Sequence, residues 1–437
     1  MKVLLKGGRV VDPSMGLDGF FDLLIENGVI ARLDHNLPVE DADVIPIPAG
    51  CIICPGFVDM HVHLREPGQE HKETIATGLS AAVAGGFTAV SCMPNTDPVN
   101  DNAGVTGFIL KKAVESNQAR VYPIGAVSRG STGDQLAEIG ELRAAGCVAL
   151  SDDGHPVSDA LLMRRALEYA GMFGMTVIDH CEDSSLKGEG VAHEGYHASA
   201  LGLRGIPSEA EEIMVARNVT LGELTREAVH IAHISARGSL RAVASGKDRG
   251  VRVTCEVTPH HFTLTDEALV GYDTNCKMNP PLREISDRDA MLQGLVDGSI
   301  DAIATDHAPH HYDEKAVEFD QAPFGIVGLE TAVSIALDRL VSTGLLSLSR
   351  LVELFSTNPS RILNVTGGTL EQDSPADITI LAPDLDVTVQ ADRFRSKARN
   401  TPFEGWHLRG GVAATLVSGR LLYLNKSVTG INVFDKT

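Results

Sequence analysis

A (β/α)8 TIM-type barrel carrying a small composite β-sandwich domain is the fold predicted for this chain, and three features predict it. The 437 residues are too many for one small core and suit a large barrel with an appendage. Eight short apolar runs alternate with helical stretches through the middle of the chain, the pattern of a parallel sheet covered by helices. Both ends are instead rich in short strands, each piece too small for a core of its own, so the two are expected to fold together.

Residues 1–53 are read as the N-terminal part of the small domain. Val3-Leu4-Leu5, Gly8-Arg9-Val10-Val11 and Asp22-Leu23-Leu24-Ile25 are strand-like runs separated by Gly, Asp-Pro and Asn-Gly turns. Residues 54–365 hold the barrel, with strands expected at 56–60, 87–92, 121–127, 147–150, 176–179, 229–232, 251–257 and 301–305. Between them, Ser158 opens a helix in which Leu161, Leu162, Arg165, Ala166 and Tyr169 recur at helical intervals. Ser208, with Glu211 three residues on, has the form of a capping box for another. Residues 187–205 are Gly-rich and weakly periodic, and read as a mobile loop overhanging the site. Residues 366–437 return to strands, at Asp377-Ile378-Thr379-Ile380-Leu381, Ala413-Ala414-Thr415-Leu416-Val417 and Leu421-Leu422-Tyr423.

Composition excludes several function classes. Hydrophobic residues at 43% and charged residues at 22% are ordinary for a soluble protein. The net charge of −21, without any cluster of Lys and Arg, argues against nucleic-acid binding. No apolar run reaches the roughly 18 residues of a membrane span, and the N-terminus lacks a signal-peptide core. A cytoplasmic protein is expected. Its seven Cys are odd in number, and Cys51-Ile-Ile-Cys54 has no second pair and two apolar central residues, so buried reduced thiols are expected.

Catalytic groups of such a barrel sit just past the C-terminal ends of its strands. His61-Val62-His63 follows the first strand, and residues two apart on a strand point the same way. Alone the pair is weak: 16 His in 437 residues supply about 0.6 such pairs by chance. However, Ser151-Asp152-Asp153-Gly154-His155 follows the fourth strand, His180 the fifth, His233 the sixth and Asp306-His307-Ala308-Pro309-His310 the eighth. His or Asp at five strand ends indicates a metal site, because zinc takes N and O ligands and catalytic sites keep a position open. His260-His261, after the seventh strand, is read as structural, since neighbours on a strand face opposite ways.

These residues carry a family resemblance. Pro55-Gly56-Phe57-Val58-Asp59-Met60-His61-Val62-His63-Leu64-Arg65-Glu66-Pro67-Gly68 resembles the first metal motif of dihydroorotases in the amidohydrolase superfamily. Met93-Pro94-Asn95-Thr96-Asp97-Pro98, Ser151-Asp152-Asp153-Gly154, Asn279-Pro280-Pro281-Leu282-Arg283, Asp306-His307-Ala308-Pro309-His310 and Gly325-Ile326-Val327-Gly328-Leu329-Glu330 match further motifs, in order. Hydantoinases, allantoinases and another class of dihydroorotase typically bridge two metals with a carboxylated Lys after the fourth strand. Here that strand end has Asp152-Asp153 and no Lys, which is similar to class I dihydroorotases.

The resemblance implies zinc-dependent, reversible cyclisation of N-carbamoyl-L-aspartate to (S)-dihydroorotate plus water, a step of pyrimidine (UMP) synthesis. It implies that His61, His63, Asp153 and Asp306 surround a first zinc and that His180 and His233 serve a second, with one or two zincs left open. Asp153 is assigned by position, with Asp152 as the alternative. Zinc lowers the pKa of a bound water from near 15.7 to about 7, and Asp306 is expected to act as general base and then acid. Arg65 suits the unreacting substrate carboxylate as a planar cationic fork. Asn95 can donate to the same group, and by the family pattern Asn279 and His310 also line the pocket. Class I enzymes often associate with aspartate carbamoyltransferase, and a homo-oligomer is expected. Two other readings are an amidase acting on uncharged rings, against which Arg65 with Asn95 argues, and a non-catalytic partner of the carbamoyltransferase, against which the full ligand set argues.

Overall fold

A computed structural model describes residues 2–39 and 41–428. Met1, Glu40 and residues 429–437, which fall within the two terminal pieces assigned to the small domain, lie outside the described residues.

The barrel strands are Phe57–Val62, Phe87–Cys92, Arg120–Gly125, Ala149–Leu150, Thr176–Asp179, Val229–Ile231, Val253–Val257 and Ala302–Ile303. Each pairs in parallel with the next, in chain order. The ring closes where Val62 bridges His307 and the His63 N–H donates to the His307 carbonyl at 2.8 Å. All eight expected strands are present. The eighth is shorter than expected because Thr305 turns its N–H to the Asp59 carboxylate at 3.1 Å instead of a ladder carbonyl. Inside the barrel, Val58, Met60, Ala89, Ile124, Ala149, Ile178, Ala232 and Ala302 form one apolar cluster that Leu363 closes from below. A larger cluster packs the outer strand faces against the helices.

Both terminal pieces share one sheet of mixed pairing. Ile52–Pro55 pairs in parallel with Lys2–Asp12 and antiparallel with Ile378–Thr388, so one short strand joins the two ends of the chain. Two hairpins lie towards opposite edges of this sheet, one turning at Asn27-Gly28 and one at Ser418-Gly419. All four turn residues have positive φ, as a tight two-residue hairpin of the right twist requires. The hairpins nevertheless meet: a Cβ on Gly419 would stand 2.7 Å from Ile25 Cγ2. The sheet is therefore folded over on itself around Leu5, Leu23, Ile25, Ile30, Ile53, Ile378 and Leu416, as a sandwich.

Three local expectations change. The helix expected from Ser158 runs Ala160–Gly171, is capped by Asp159, and buries Met163, Ala166, Leu167 and Ala170, while Leu161 is 59% exposed. Ser208 makes no side-chain cap on Glu209–Thr225. The Glu211 carboxylate instead accepts from the Ser235 and Ala236 N–H groups, each at 3.0 Å, and meets Arg283 at 3.4 Å. These charge-assisted bonds to a buried carboxylate outweigh a local cap. Residues 187–205, read as a weakly periodic, mobile loop, contain the helix Tyr196–Leu201 and a strand, Ala192–His193, paired with Gly205–Ile206. Among the described residues no helix is long and apolar enough to cross a membrane. All seven Cys are buried and free.

Candidate metal centre and substrate pocket

A bulge in the first barrel strand sets the site. Asp59 pairs with Val90 but Val62 with Cys92, so the first strand spends one extra residue. Val58 and Met60 face the interior and Val62 the helices. His61 and His63 then both turn into the mouth of the barrel, the re-aiming that bulges produce at barrel rims. Arg65, His233 and Asp306 have φ of 61°, 27° and 48°, strained for side-chain-bearing residues, and all three belong to the site.

At the mouth, His61 Nε2 lies 3.4 Å from Asp153 Oδ1 and 3.6 Å from Asp306 Oδ1. His63 Nε2 lies 3.0 Å from Asp306 Oδ1 and 3.5 Å from Asp153 Oδ2. His180 Nδ1 and His233 Nε2 are 2.9 Å apart, and stand 3.7 and 3.6 Å from Asp153 Oδ1. Asp153 thus touches all four imidazoles. Both oxygens of Asp152 face away and accept from Ser128 N–H and its hydroxyl, and from the Val127 N–H at 2.8 Å.

Two overlapping groups can hold a metal ion, His61 with Asp153 and His233, and His61 with His63 and Asp306. Two ligands each about 2.0–2.1 Å from one ion stand about 3.3 Å apart at a tetrahedral angle, close to the separations observed. His61 Nε2 and Asp153 Oδ1 are buried without a hydrogen-bond partner, as inward-facing ligand atoms would be. The electrostatics agree. Burial opposes charge on His61, yet Asp153 and Asp306 hold its imidazole well above the ordinary value. His180 is raised to about 10 in the same way, burial being outweighed by Asp153 and Glu182. Asp153 and Asp306 stay far below the usual carboxylate range despite burial, because His61 and the other imidazoles face them. Carboxylates that draw protons onto buried imidazoles are suited to a divalent cation, to which those imidazoles bind neutral.

Beside this centre lies a cavity of about 350 Å³. Arg65, Asn95, Asn279 and His310 line it with His63, Asp153, His180, His233 and Asp306, so all the residues singled out from sequence except His61 reach its wall. His61 lies deeper, fully buried. Arg65 donates its Nε to the Pro309 carbonyl at 3.2 Å and, among the described residues, pairs with no carboxylate. Burial lowers its pKa to about 10, which leaves it charged at neutral pH. Asn95 Oδ1 accepts from His63 Nδ1 at 2.9 Å, which leaves its amide N–H groups for the cavity. Asn279 directs Nδ2 at His180 Nε2 and Glu182 Oε2, both at 3.2 Å, while its Oδ1 has no partner among the described residues. His260 and His261 sit on a short helix, Pro259–Thr263, not on a strand. His261 is held by Thr258 and the Pro280 carbonyl.

Three residues went unread in the sequence. Lys187 lines the cavity, and Glu182 beneath it accepts from both Lys187 and Asn279. Glu256, fully buried, accepts from His61 Nδ1 at 2.9 Å and faces His230 at 3.3 Å. It turns His61 Nε2 to the centre. A lone acid in the apolar strand Val253–Val257 was the available signal. Burial would raise its pKa, but His230 and His61 hold it at about 2, so it is a carboxylate at all working pH values. Such orienting carboxylates are worth about 10–100-fold in metal affinity. Glu256→Gln is expected to weaken metal binding to that extent in competition with a chromogenic chelator; unchanged affinity would show that Glu256 does not orient His61.

A metal-binding centre of this donor set at the C-terminal mouth of a parallel barrel marks the amidohydrolase class. Residues 50–239 match the family model described as dihydro-orotase-like. The dihydroorotase of Geobacter metallireducens is 52% identical over 423 residues, covering 97% of this chain and all of that one. The dihydroorotase of Pelotomaculum thermopropionicum is 55% identical over 432 residues, covering 98% of this chain and all of that one. The chain belongs to the dihydroorotase family. Among solved structures, L-hydantoinase (dihydropyrimidinase) from Arthrobacter aurescens superposes with a TM-score of 0.85 at 25% identity, covering 96% of this chain and 95% of that one. Dihydropyrimidinase from Brevibacillus agri NCHU1002, at TM-score 0.83 and 24% identity, covers 99% of this chain and 97% of that one and shares the fold.

Proposed function

We propose that this chain is a class I dihydroorotase that cyclises N-carbamoyl-L-aspartate to (S)-dihydroorotate plus water, reversibly, with one or two zinc ions, in pyrimidine synthesis. The observation that carries the reading is Asp153. It follows the fourth barrel strand, where the resemblance implies a carboxylated Lys in the other classes, and both its oxygens meet the imidazole cluster. Asp152 is fully engaged elsewhere. His61, His63, Asp153 and Asp306 would hold the first metal, and His180 and His233 a second.

A metal held there would supply polarisation of the reacting amide carbonyl and would let a water ionise near neutral pH. Asp306, ionised and on the cavity wall, takes a proton from the attacking water and returns it to the leaving ring nitrogen, acting as base and then acid. In the cyclising direction it takes the proton of the attacking ureido nitrogen and gives it to the departing hydroxide, which leaves as water. Arg65, with no carboxylate of its own, receives the substrate carboxylate that does not react, joined by the Asn95 amide. The unpartnered Asn279 Oδ1 accepts a ring or ureido N–H. His310 gives its Nε2–H to the Phe324 carbonyl at 2.8 Å and stays neutral, because burial and Arg65 lower its pKa to about 2; its Nδ1 is therefore an acceptor.

The same reading carries a cytoplasmic setting in which seven thiols stay reduced, a homo-oligomer, and association with aspartate carbamoyltransferase. The test is turnover of dihydroorotate by the purified chain, followed by ultraviolet loss of the ring amide, with zinc and after chelation. Zinc-dependent loss is expected. Turnover of hydantoin or dihydrouracil but not dihydroorotate would replace the reading by an amidase of uncharged rings. Silence on all three, also with the carbamoyltransferase added, would leave a non-catalytic partner.

A further inference from the structure

The segment after Ala391–Arg393 belongs to the C-terminal piece, yet it is stitched along the mouth of the barrel. Glu330 accepts from the Arg395 N–H at 2.9 Å and the Ser396 N–H at 3.1 Å. Buried Glu73 accepts from the Ser396 hydroxyl and from the Lys397 N–H at 3.1 Å. This brings Asn400, 5% exposed, behind the substrate cavity.

Asn400 uses both amide hydrogens and its amide oxygen there. Nδ2 donates to the Ala308 carbonyl and to the Gly325 carbonyl, both at 3.1 Å, and Oδ1 accepts from the His310 N–H at 3.2 Å. Its own carbonyl accepts from the Val327 N–H at 2.9 Å. The reverse amide orientation would set oxygen against two carbonyl oxygens, so the orientation is determined by its partners. Ala308, His310 and Gly325 all line the cavity. They lie on two separate backbone segments, one following the eighth strand and one containing Pro323, Phe324 and Gly325. One side chain therefore cross-links two walls of the pocket. The first wall also holds Arg65 through the Pro309 carbonyl.

We propose that Asn400 is a positioning residue for the substrate-carboxylate subsite, by which the C-terminal piece sets the pocket that the barrel presents. The proposal rests on the reading of Arg65 and His310 given above. Asn400 touches neither the metal-ligating cluster nor Asp306, so its loss is felt in binding more than in chemistry.

The experiment is steady-state kinetics on zinc-loaded Asn400→Ala and Asn400→Asp, with thermal unfolding of each. Ala removes every side-chain bond. Asp keeps the shape but sets lone pairs against the Ala308 and Gly325 carbonyls. The expected result in both is a KM for dihydroorotate raised on the order of tenfold, the scale of a lost hydrogen bond to a charged group, with kcat changed by less than about threefold. A folded variant whose KM stays within about twofold of the parent overturns the proposal, whatever its melting temperature. If neither variant folds, Asn400 serves folding alone and the proposal falls. A parent chain without dihydroorotate turnover is a different failure, which removes the reading of the pocket itself.

Discussion

Asp306→Ala is expected to leave the protein folded and to remove nearly all turnover of dihydroorotate. The fold is expected to hold because barrel closure beside Asp306 is a backbone bond, from His63 N–H to the His307 carbonyl, which the substitution leaves intact. The imidazoles of His61 and His63 lose one carboxylate partner, while Asp153 still faces both. Turnover is expected to fall by about 10²–10⁴ from the lost proton transfer alone, and further if the metal departs with its ligand. Asp306→Asn separates the two effects, since it keeps the shape and one oxygen but cannot take a proton. Both variants are assayed by ring-amide absorbance, with circular dichroism for folding. More than about a tenth of parental turnover in folded Asp306→Ala, against the usual scale of general-base loss, would end its assignment as base.

The second large effect concerns the metal. Exhaustive chelation is expected to abolish turnover, and added zinc to restore it. Zinc should also raise the melting temperature, because an ion that binds the folded chain alone stabilises it by mass action, about 2.7 kcal/mol at a hundred times its dissociation constant. Asp153→Ala should sharply weaken both effects, leaving only the set of His61, His63 and Asp306, since among the described residues this carboxylate alone lies within 3.7 Å of His61, His63, His180 and His233. Asp152→Asn offers the contrast. It keeps one oxygen for the Val127 and Ser128 N–H groups but replaces the other, which accepts from the Ser128 hydroxyl, by an amide nitrogen, so it should lower stability while keeping the zinc-induced shift. Turnover that survives chelation, or a zinc shift undiminished in Asp153→Ala, would overturn the centre described above.

The architecture was legible because it is written in local patterns. Eight apolar runs separated by helices can form a closed parallel barrel, and Asn27-Gly28 at a strand break specifies its hairpin by backbone preference alone. The candidate site was legible for a related reason. A parallel barrel collects the C-terminal ends of its strands at one mouth, so His61, His63, Asp153, His180, His233 and Asp306 needed only their places in the chain to be brought together. Where local patterns failed, a distant partner had outcompeted them. Glu211 abandons the Ser208 cap for Ser235 and Arg283, and Leu161 yields the buried face of its helix to Met163.

What the chain alone determined, then, is the order of strands, the residue types at their ends and the family to which their motifs belong. Tertiary structure decided which neighbour serves. It turned Asp153 inward and Asp152 away, although the two are adjacent. It used the bulge before Val62 to aim both histidines into the mouth, set Glu256 behind His61 from 195 residues away, and brought Asn400 across from the C-terminal piece to the pocket wall. Each of these outcomes is a choice between hydrogen-bond partners made after burial has removed water as a competitor, and no local pattern carries that information.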